Sequence, residues 1–283
     1  MKKKRRYQLI QWFFQNVPKR YRILSILKPI LPSPIYGVCD GYWMELDVGD
    51  DIQRLMYFGE YEPAQTKWVR DILKPGDTFL DVGANVGHYT ALASSLVGRN
   101  GHVIAFEPSP YAYGKLRAVL QANDIAQVSL FQCAAGEEKG ELNLYLPTEN
   151  YLHSPSLVQS DNSYIPVKVD VCRLDSHPSL VPPKVIDLMK VDVEGFEPNV
   201  FRGMAEYLKA GFVKNLMCEF NSGWLEANGS SCEELMDAVK SYGFEIYKET
   251  PNATVIAPSG LVYKYQDVLF KHVNSANGIS INE

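Results

Sequence analysis

Glycines and acids recur in this sequence at spacings that suit a ligand held at the ends of strands. The segment Asp81-Val82-Gly83-Ala84-Asn85-Val86-Gly87-His88-Tyr89-Thr90 sets two glycines four apart, behind an acid and ahead of a small apolar run. A strand turning into a helix through such a loop brings backbone close to a ligand, because neither glycine carries a Cβ. The loop alone suits a dinucleotide or S-adenosyl-L-methionine. A dinucleotide loop commonly has a glycine where Asn85 stands, and Asn85 leaves less room for a diphosphate. Glu107 ends the run HVIAFEP, 24 residues after Gly83. A carboxylate at the end of a second strand can accept hydrogen bonds from ribose hydroxyls. Asp81 adds negative charge where a sulfonium or an ammonium would sit, which favours S-adenosyl-L-methionine.

A second cluster lies in LMKVDVEGFEPNVFRGM, where Lys190, Asp192 and Glu194 alternate with Val191 and Val193. Period two puts the charged side chains on one side of a strand end, and burying them is costly unless they pair or meet a ligand. Lys190 is expected to pair with an acid rather than react. Glu219 ends the next apolar run, NLMCEF, with Asn221 two residues on. Open parallel sheets bind ligands at the carboxyl ends of their strands, so Asp81, Glu107, Asp192 and Glu219 converge on one crevice.

The elements that must position these residues follow from periodicity. From Thr78 the chain alternates strand-like and helix-like segments, the pattern of a parallel sheet with right-handed crossovers. Seven candidate strands follow residue 77, and the last two, FEIYKE and DVLFK, lack an intervening helix, which predicts an antiparallel end to a mostly parallel sheet. Residues 61–283 form the expected α/β domain, with ELNLYLP and IPVKVDVC, about 140–174, as an inserted hairpin or an extension of the sheet edge. Residues 1–60 form an added element, a basic helix followed by a small hairpin around Gly41.

Four segments, GEYEP at 59–63, DVGANVGHYT, VIAFEPSP and MKVDVEGFEPNVFRGM, resemble in order and spacing the FkbM family of S-adenosylmethionine-dependent methyltransferases, over about residues 40–225. The resemblance implies a class I methyltransferase fold, Rossmann-like with a seven-strand sheet. It also implies methyl transfer to a hydroxyl, usually of a sugar, glycan or natural product. Carried over by position, Asp81, Gly83, Asn85 and Gly87 would line the methionine end of the cofactor, with Tyr89 the aromatic beside them. Glu107 would hold the ribose, and Ser109 with the Cys133–Ala134 backbone would lie near the adenine. Asp192 would touch both cofactor and acceptor as the leading base, with Glu194 and Glu219 beside it. Asp192, Glu219 and Asn221 also resemble the oxygen ligands by which catechol-type methyltransferases hold magnesium, so a divalent cation is a second expectation. His88 reads as an exposed residue at a helix start.

Composition bounds the remaining choices. The chain has 283 residues and a net charge of −5, yet the first 28 residues carry nine Lys and Arg and no acid. That leaves an acidic body, which argues against nucleic acid as partner. Leu9, Ile10, Phe13, Phe14 and Val17 make an apolar stripe, read either as a helix on an anionic membrane surface or as one packed on the domain. No apolar run spans a bilayer and no cleavage site follows the basic start, so a cytoplasmic location, with peripheral contact at the inner membrane face, is expected. Five separated cysteines without a CxxC pair fit a reduced compartment. For the acceptor, His153, Ser154, Ser156, Asp161 and Tyr164, with Tyr36, Tyr42, Trp43, Tyr57 and Tyr61, are candidates for a glycan or glycolipid platform. An NAD-dependent oxidoreductase or epimerase, which would want a Tyr-x-x-x-Lys pair not found in place, and a non-catalytic membrane-attached binding domain stand as alternatives.

Overall fold

The computed structural model describes residues 2–27, 35–147, 164–181, 184–256 and 262–276. Two helices, α1 (Lys2–Asn16) and α2 (Arg20–Leu27), precede an antiparallel hairpin of β1 (Ile35–Cys39) and β2 (Tyr42–Leu46). Its two-residue turn, Asp40-Gly41, has positive φ at both positions, the geometry that matches the twist of the flanking strands. Two helices follow: α3 (Asp51–Phe58), capped by the Asp50 side chain and stopped by Gly59 at φ 72°, and α4 (Pro63–Ile72), with Pro63 at its first position.

The α/β alternation then runs β3 (Thr78–Val82), α5 (His88–Val97), β4 (His102–Phe106), α6 (Pro110–Ala122) and β5 (Val128–Phe131). Strands β6 (Ala134–Ala135), β7 (Gly140–Pro147) and β8 (Tyr164–Cys172) come next. The chain continues through β9 (Leu188–Val191), α7 (Glu197–Arg202), α8 (Ala205–Lys209), β10 (Asn215–Asn221), α9 (Ser222–Ala227) and α10 (Cys232–Ser241), and closes with β11 (Phe244–Glu249), β12 (Ala253–Ile256) and β13 (Val262–His272).

The main sheet has the order β11-β13-β10-β9-β3-β4-β5, parallel from β10 to β5, with β13 antiparallel to both neighbours. This is the class I methyltransferase topology, with β3 and β9 at the centre, where the order reverses and a crevice opens. The central β9 is buried along its whole length, because helices cover both faces. One apolar cluster joins Phe79, Leu92 and Val103 to the hairpin and α3, and another joins Leu80, Ile104, Met189 and Phe201 on the opposite side.

Several elements differ from the sequence expectation. Among the described residues the main sheet has eight strands, because β12 pairs with β13 beside the seven. The 140–174 region is a separate three-stranded sheet, β6-β8-β7, and not an extension of the main edge. The helix expected near 198–210 is two short ones, broken where Gly203 packs so closely on the Gly136 carbonyl that a Cβ would collide with it. The α1 stripe faces two ways: Phe14 is buried beside Tyr7 and Gln11, whereas Leu9 and Phe13 point outward. Among the described residues no helix is long and apolar enough to cross a membrane.

Candidate active site

A cavity of about 400 Å³ opens at the carboxyl ends of β3, β4, β9 and β10. Nine of the residues assigned from sequence to cofactor, catalysis or metal lie on its wall: Gly83, Asn85, Glu107, Cys133, Ala134, Asp192, Glu194, Glu219 and Asn221. Tyr61, Glu62, Trp224 and Tyr265 are also on the wall.

Both loop glycines are required by the protein's own packing. Gly83, at φ 83°, is pressed by the Asp192 carbonyl oxygen, and Gly87, at φ 95°, by the Leu116 side chain of α6; a Cβ at either would collide. Freedom from a Cβ therefore serves loop-to-loop and loop-to-helix contact, and Gly83 also lies on the cavity wall. Gly87 is set back as the cap residue of α5. Asn85 sits at φ 49°, the left-handed region that Asn tolerates better than most residues, and its Oδ1 accepts a 2.8 Å bond from Val86 N–H.

Three more of the residues assigned to the cofactor stand behind the wall. Asp81 is fully buried; its Oδ2 accepts from Thr90 Oγ1 at 2.6 Å, and its Oδ1 finds no hydrogen-bond partner among the described residues. Burial pushes the Asp81 carboxyl up, and the Lys190 ammonium, 3.9 Å away, opposes that. Tyr89 is buried and donates its phenol to Glu62. Ser109 caps α6 and donates its N–H to Glu107 Oε1 at 2.8 Å. Glu107 also accepts from Asn85 N–H at 2.7 Å through Oε2, so the second strand end and the loop after β3 share one carboxylate. Burial lifts the Glu107 carboxyl to about 7 in spite of these two donors.

On the other side, Lys190 Nζ lies 3.1 Å from Asp192 Oδ2 and donates to the Gly83 carbonyl at 3.1 Å. Burial alone pushes the ammonium's pKa down, but Asp192, Asp81 and Glu62 more than reverse this, and the group stays charged. The following loop is held by Glu197, whose Oε1 accepts from Val193 N–H and Gly195 N–H at 3.0 and 3.2 Å. Glu194 takes φ 54° in that loop. Burial pushes Glu219 well up, helped by the charges of Asp192 and Glu194, and its Oε2 is without a hydrogen-bond partner among the described residues.

Glu62, Trp224 and Tyr265 are wall residues that sequence reasoning missed, and Glu62 is the acid among them. It precedes Pro63 at φ 42°, and makes no side-chain cap to α4; the carboxylate accepts from Tyr89 instead. Burial, reinforced by the charges of Asp267 and Asp192, lifts it to about 7. An acid directly before a helix-starting Pro, inside GEYEP, was the available signal. Glu62, Asn85 and Glu194 are thus three non-glycine residues in the left-handed region on one cavity wall, the kind of local strain that gathers at functional sites.

The metal and platform expectations fare differently. Among the described residues no group of three or more His, Cys, Asp and Glu is arranged to hold a metal ion. The physical reason is local: Lys190 already sets a cation against Asp192, and the Asn221 Oδ1 caps α9 by accepting from Trp224 N–H. Tyr42, Trp43 and Tyr57 are buried, and Tyr36 stacks on Trp43 at 5.9 Å, so of the hairpin-region aromatics only Tyr61 reaches the cavity. His153, Ser154, Ser156 and Asp161, and the Tyr164 side chain, lie outside the described residues. His88 is buried, not exposed: Tyr42 Oη meets its Nδ1 at 2.6 Å and Thr66 Oγ1 its Nε2 at 3.2 Å, which ties the hairpin and α4 to the start of α5.

The sheet order, with the crevice at its centre, defines an α/β protein with the class I methyltransferase fold. The sequence pattern described as the methyltransferase FkbM domain matches residues 81–246, and the chain belongs to that family. It is 30% identical over 152 residues to Methyltransferase 1 of Beauveria bassiana and 29% identical over 162 residues to Methyltransferase sdnD of Sordaria araneosa, 46% and 47% of this chain. These matches span 59% and 62% of the two relatives' lengths. A solved structure of methyltransferase FkbM from Methylobacillus flagellatus is similar over 76% of this chain and 52% of its own, at 14% identity and a TM-score of 0.41.

Proposed function

We propose that the chain is an S-adenosylmethionine-dependent O-methyltransferase whose acceptor is a hydroxyl of a sugar, glycan or other natural product. The observation that carries the cofactor is the all-acid wall: Glu62, Glu107, Asp192, Glu194 and Glu219 line the cavity, among the described residues no Lys, Arg or His does, and the carboxyls that burial leaves partly protonated ionise more readily beside an entering cation. Such a wall attracts a ligand bearing a sulfonium and an ammonium and repels a diphosphate, so it disfavours a dinucleotide.

The residues fit the cofactor in kind. Glu107 offers carboxylate lone pairs to ribose hydroxyls, and the Gly83–Asn85 backbone and Asp192 border the methionine end. Asp81 acts at one remove, by holding Lys190 and Thr90. When bound, the cofactor supplies an electrophilic methyl on sulfur; the protein's part is to align the acceptor oxygen, keep water out and take up the hydroxyl proton. Tyr61, Trp224 and Tyr265 offer aromatic faces for a sugar ring. Glu62, held near 7, is better matched to proton removal at neutral pH than a carboxylate of ordinary pKa. Asp192, braced by Lys190, orients the acceptor beside it.

Calorimetry with S-adenosylmethionine and with NAD tests the cofactor: binding of the first and not the second is expected, and the reverse would overturn the reading. Methyl uptake from labelled cofactor across a panel of sugars and glycolipids tests the acceptor. The Asp192→Asn variant should bind cofactor yet turn over ~10²-fold more slowly through loss of acceptor orientation. Full turnover would remove Asp192 from the reaction.

A further inference from the structure

We propose that the outer face of α1 seats the protein on an anionic lipid surface, an inference that stands apart from the methyl-transfer reading. The helix is docked and not a free tail. Tyr7, Gln11 and Phe14 face inward, and Gln11 pairs with β1 as a neighbouring strand would, accepting from Val38 N–H at 2.7 Å and donating to Val38 C=O at 3.0 Å. Its Nε2 also donates to the Tyr57 carbonyl at 2.8 Å. That anchoring fixes which residues face out. Leu9, Trp12 and Phe13, spaced i, i+3, i+4, are 68%, 63% and 50% exposed, and Ile26 on α2 is 65% exposed. Three large apolar side chains on one helix face are a standing cost in water and a suitable depth of insertion for a lipid headgroup boundary.

Charge names the occupant. Five consecutive basic residues, Lys2 to Arg6, open the same helix, and its first turn contains no acid. Cations there repel one another and oppose the positive end of the helix dipole. Both penalties are relieved by a surface of negative charge, and neither is relieved by an apolar groove on a second protein. The rest of the chain is acidic, so such a surface would orient the molecule with α1 down and the body turned away. Because α1 packs on α3, whose Ile52 lines the cavity, a seated helix would also keep the cavity wall one helix away from the lipid.

The test is flotation of the full chain with phosphatidylcholine vesicles, with and without phosphatidylglycerol, at low and high salt. Partition into the anionic vesicles alone is expected, weakening as salt rises. The joint variant Leu9→Ser, Trp12→Ser, Phe13→Ser should lose at least ~10-fold in partition with its melting temperature unchanged. Replacing Lys2, Lys3, Lys4, Arg5 and Arg6 by Gln should cost about fivefold per charge removed. Equal binding to neutral vesicles, no binding to anionic ones, or undiminished binding by the folded serine variant would each overturn the proposal. A dimer that the serine variant dissociates, with no vesicle binding, would instead assign the face to a second copy of the chain.

Discussion

Glu62 gives the sharpest residue-scale expectation. With its carboxyl lifted to about 7, a base at this position loses activity as pH falls through 7, because protonation removes the acceptor lone pair. Glu62→Gln should lower kcat by ~10²-fold or more and abolish that acid limb of the pH–rate profile, with cofactor affinity little changed. A variant that keeps the limb would move the base elsewhere. Gly83→Ala tests a different kind of contact. The new methyl meets the Asp192 carbonyl at a φ of 83°, which L-residues resist, and a loss of about 2–4 kcal/mol in stability is expected by calorimetry.

At the scale of elements, His88 links three pieces, the hairpin, α4 and α5, through Tyr42 and Thr66. His88→Ala strands the Thr66 hydroxyl and leaves Tyr42 Oη only the residue-88 carbonyl, to which it donates at 2.9 Å, and should cost about 1–3 kcal/mol. Tyr42→Phe in that background should add less than it costs alone, since one of its two partners, the imidazole, is already gone; thermal melts of the two singles and the double measure that coupling. How much of this was legible in sequence differs by element. The alternation from β3 to β10 was readable because period and turn residues agree there, and the convergence of Glu107, Asp192 and Glu219 followed from strand ends alone. The burial of His88 was not, because its partners lie 46 and 22 residues away. Nor was the split of the α1 stripe: helix periodicity marks which residues share a face, and only the docking of Gln11 against β1 decides which face turns inward. The break between α7 and α8 depends on a close approach to Gly136, a contact with no local signature.

For the molecule as a whole, buried acids set the dependence of stability on pH. Folding lifts Glu62, Glu107 and Glu197 to about 7 and Asp267 to about 6, from ordinary values near 4. The folded protein therefore binds more protons than the unfolded chain between about pH 4.5 and 7, and stability must fall as pH rises through that window. His88, pushed down to about 4 by burial, works against this below 6.5, where the unfolded chain gains a proton that the folded one refuses, and burial lowers His102 and His177 too, but Asp81 and Glu219 are raised along with the four carboxyls above, so the acids prevail. The ligand-free protein should thus melt several degrees higher at pH 5 than at pH 7.5, and a ligand bearing two positive charges should raise the melting temperature more at pH 7.5. A melting temperature that climbs toward pH 7.5 without ligand would contradict the burial of these carboxylates. The seating of Gly83 against Asp192 also limits how such a protein can diversify. One wall of the cavity is a keyed joint between two loops, so under the proposed function a change there would disturb the cofactor side and the acceptor side together. New acceptor preferences can be selected without that penalty at Tyr61, Trp224 and Tyr265, and a library randomised at those three positions should yield folded variants with altered substrates far more often than one randomised at 191–195.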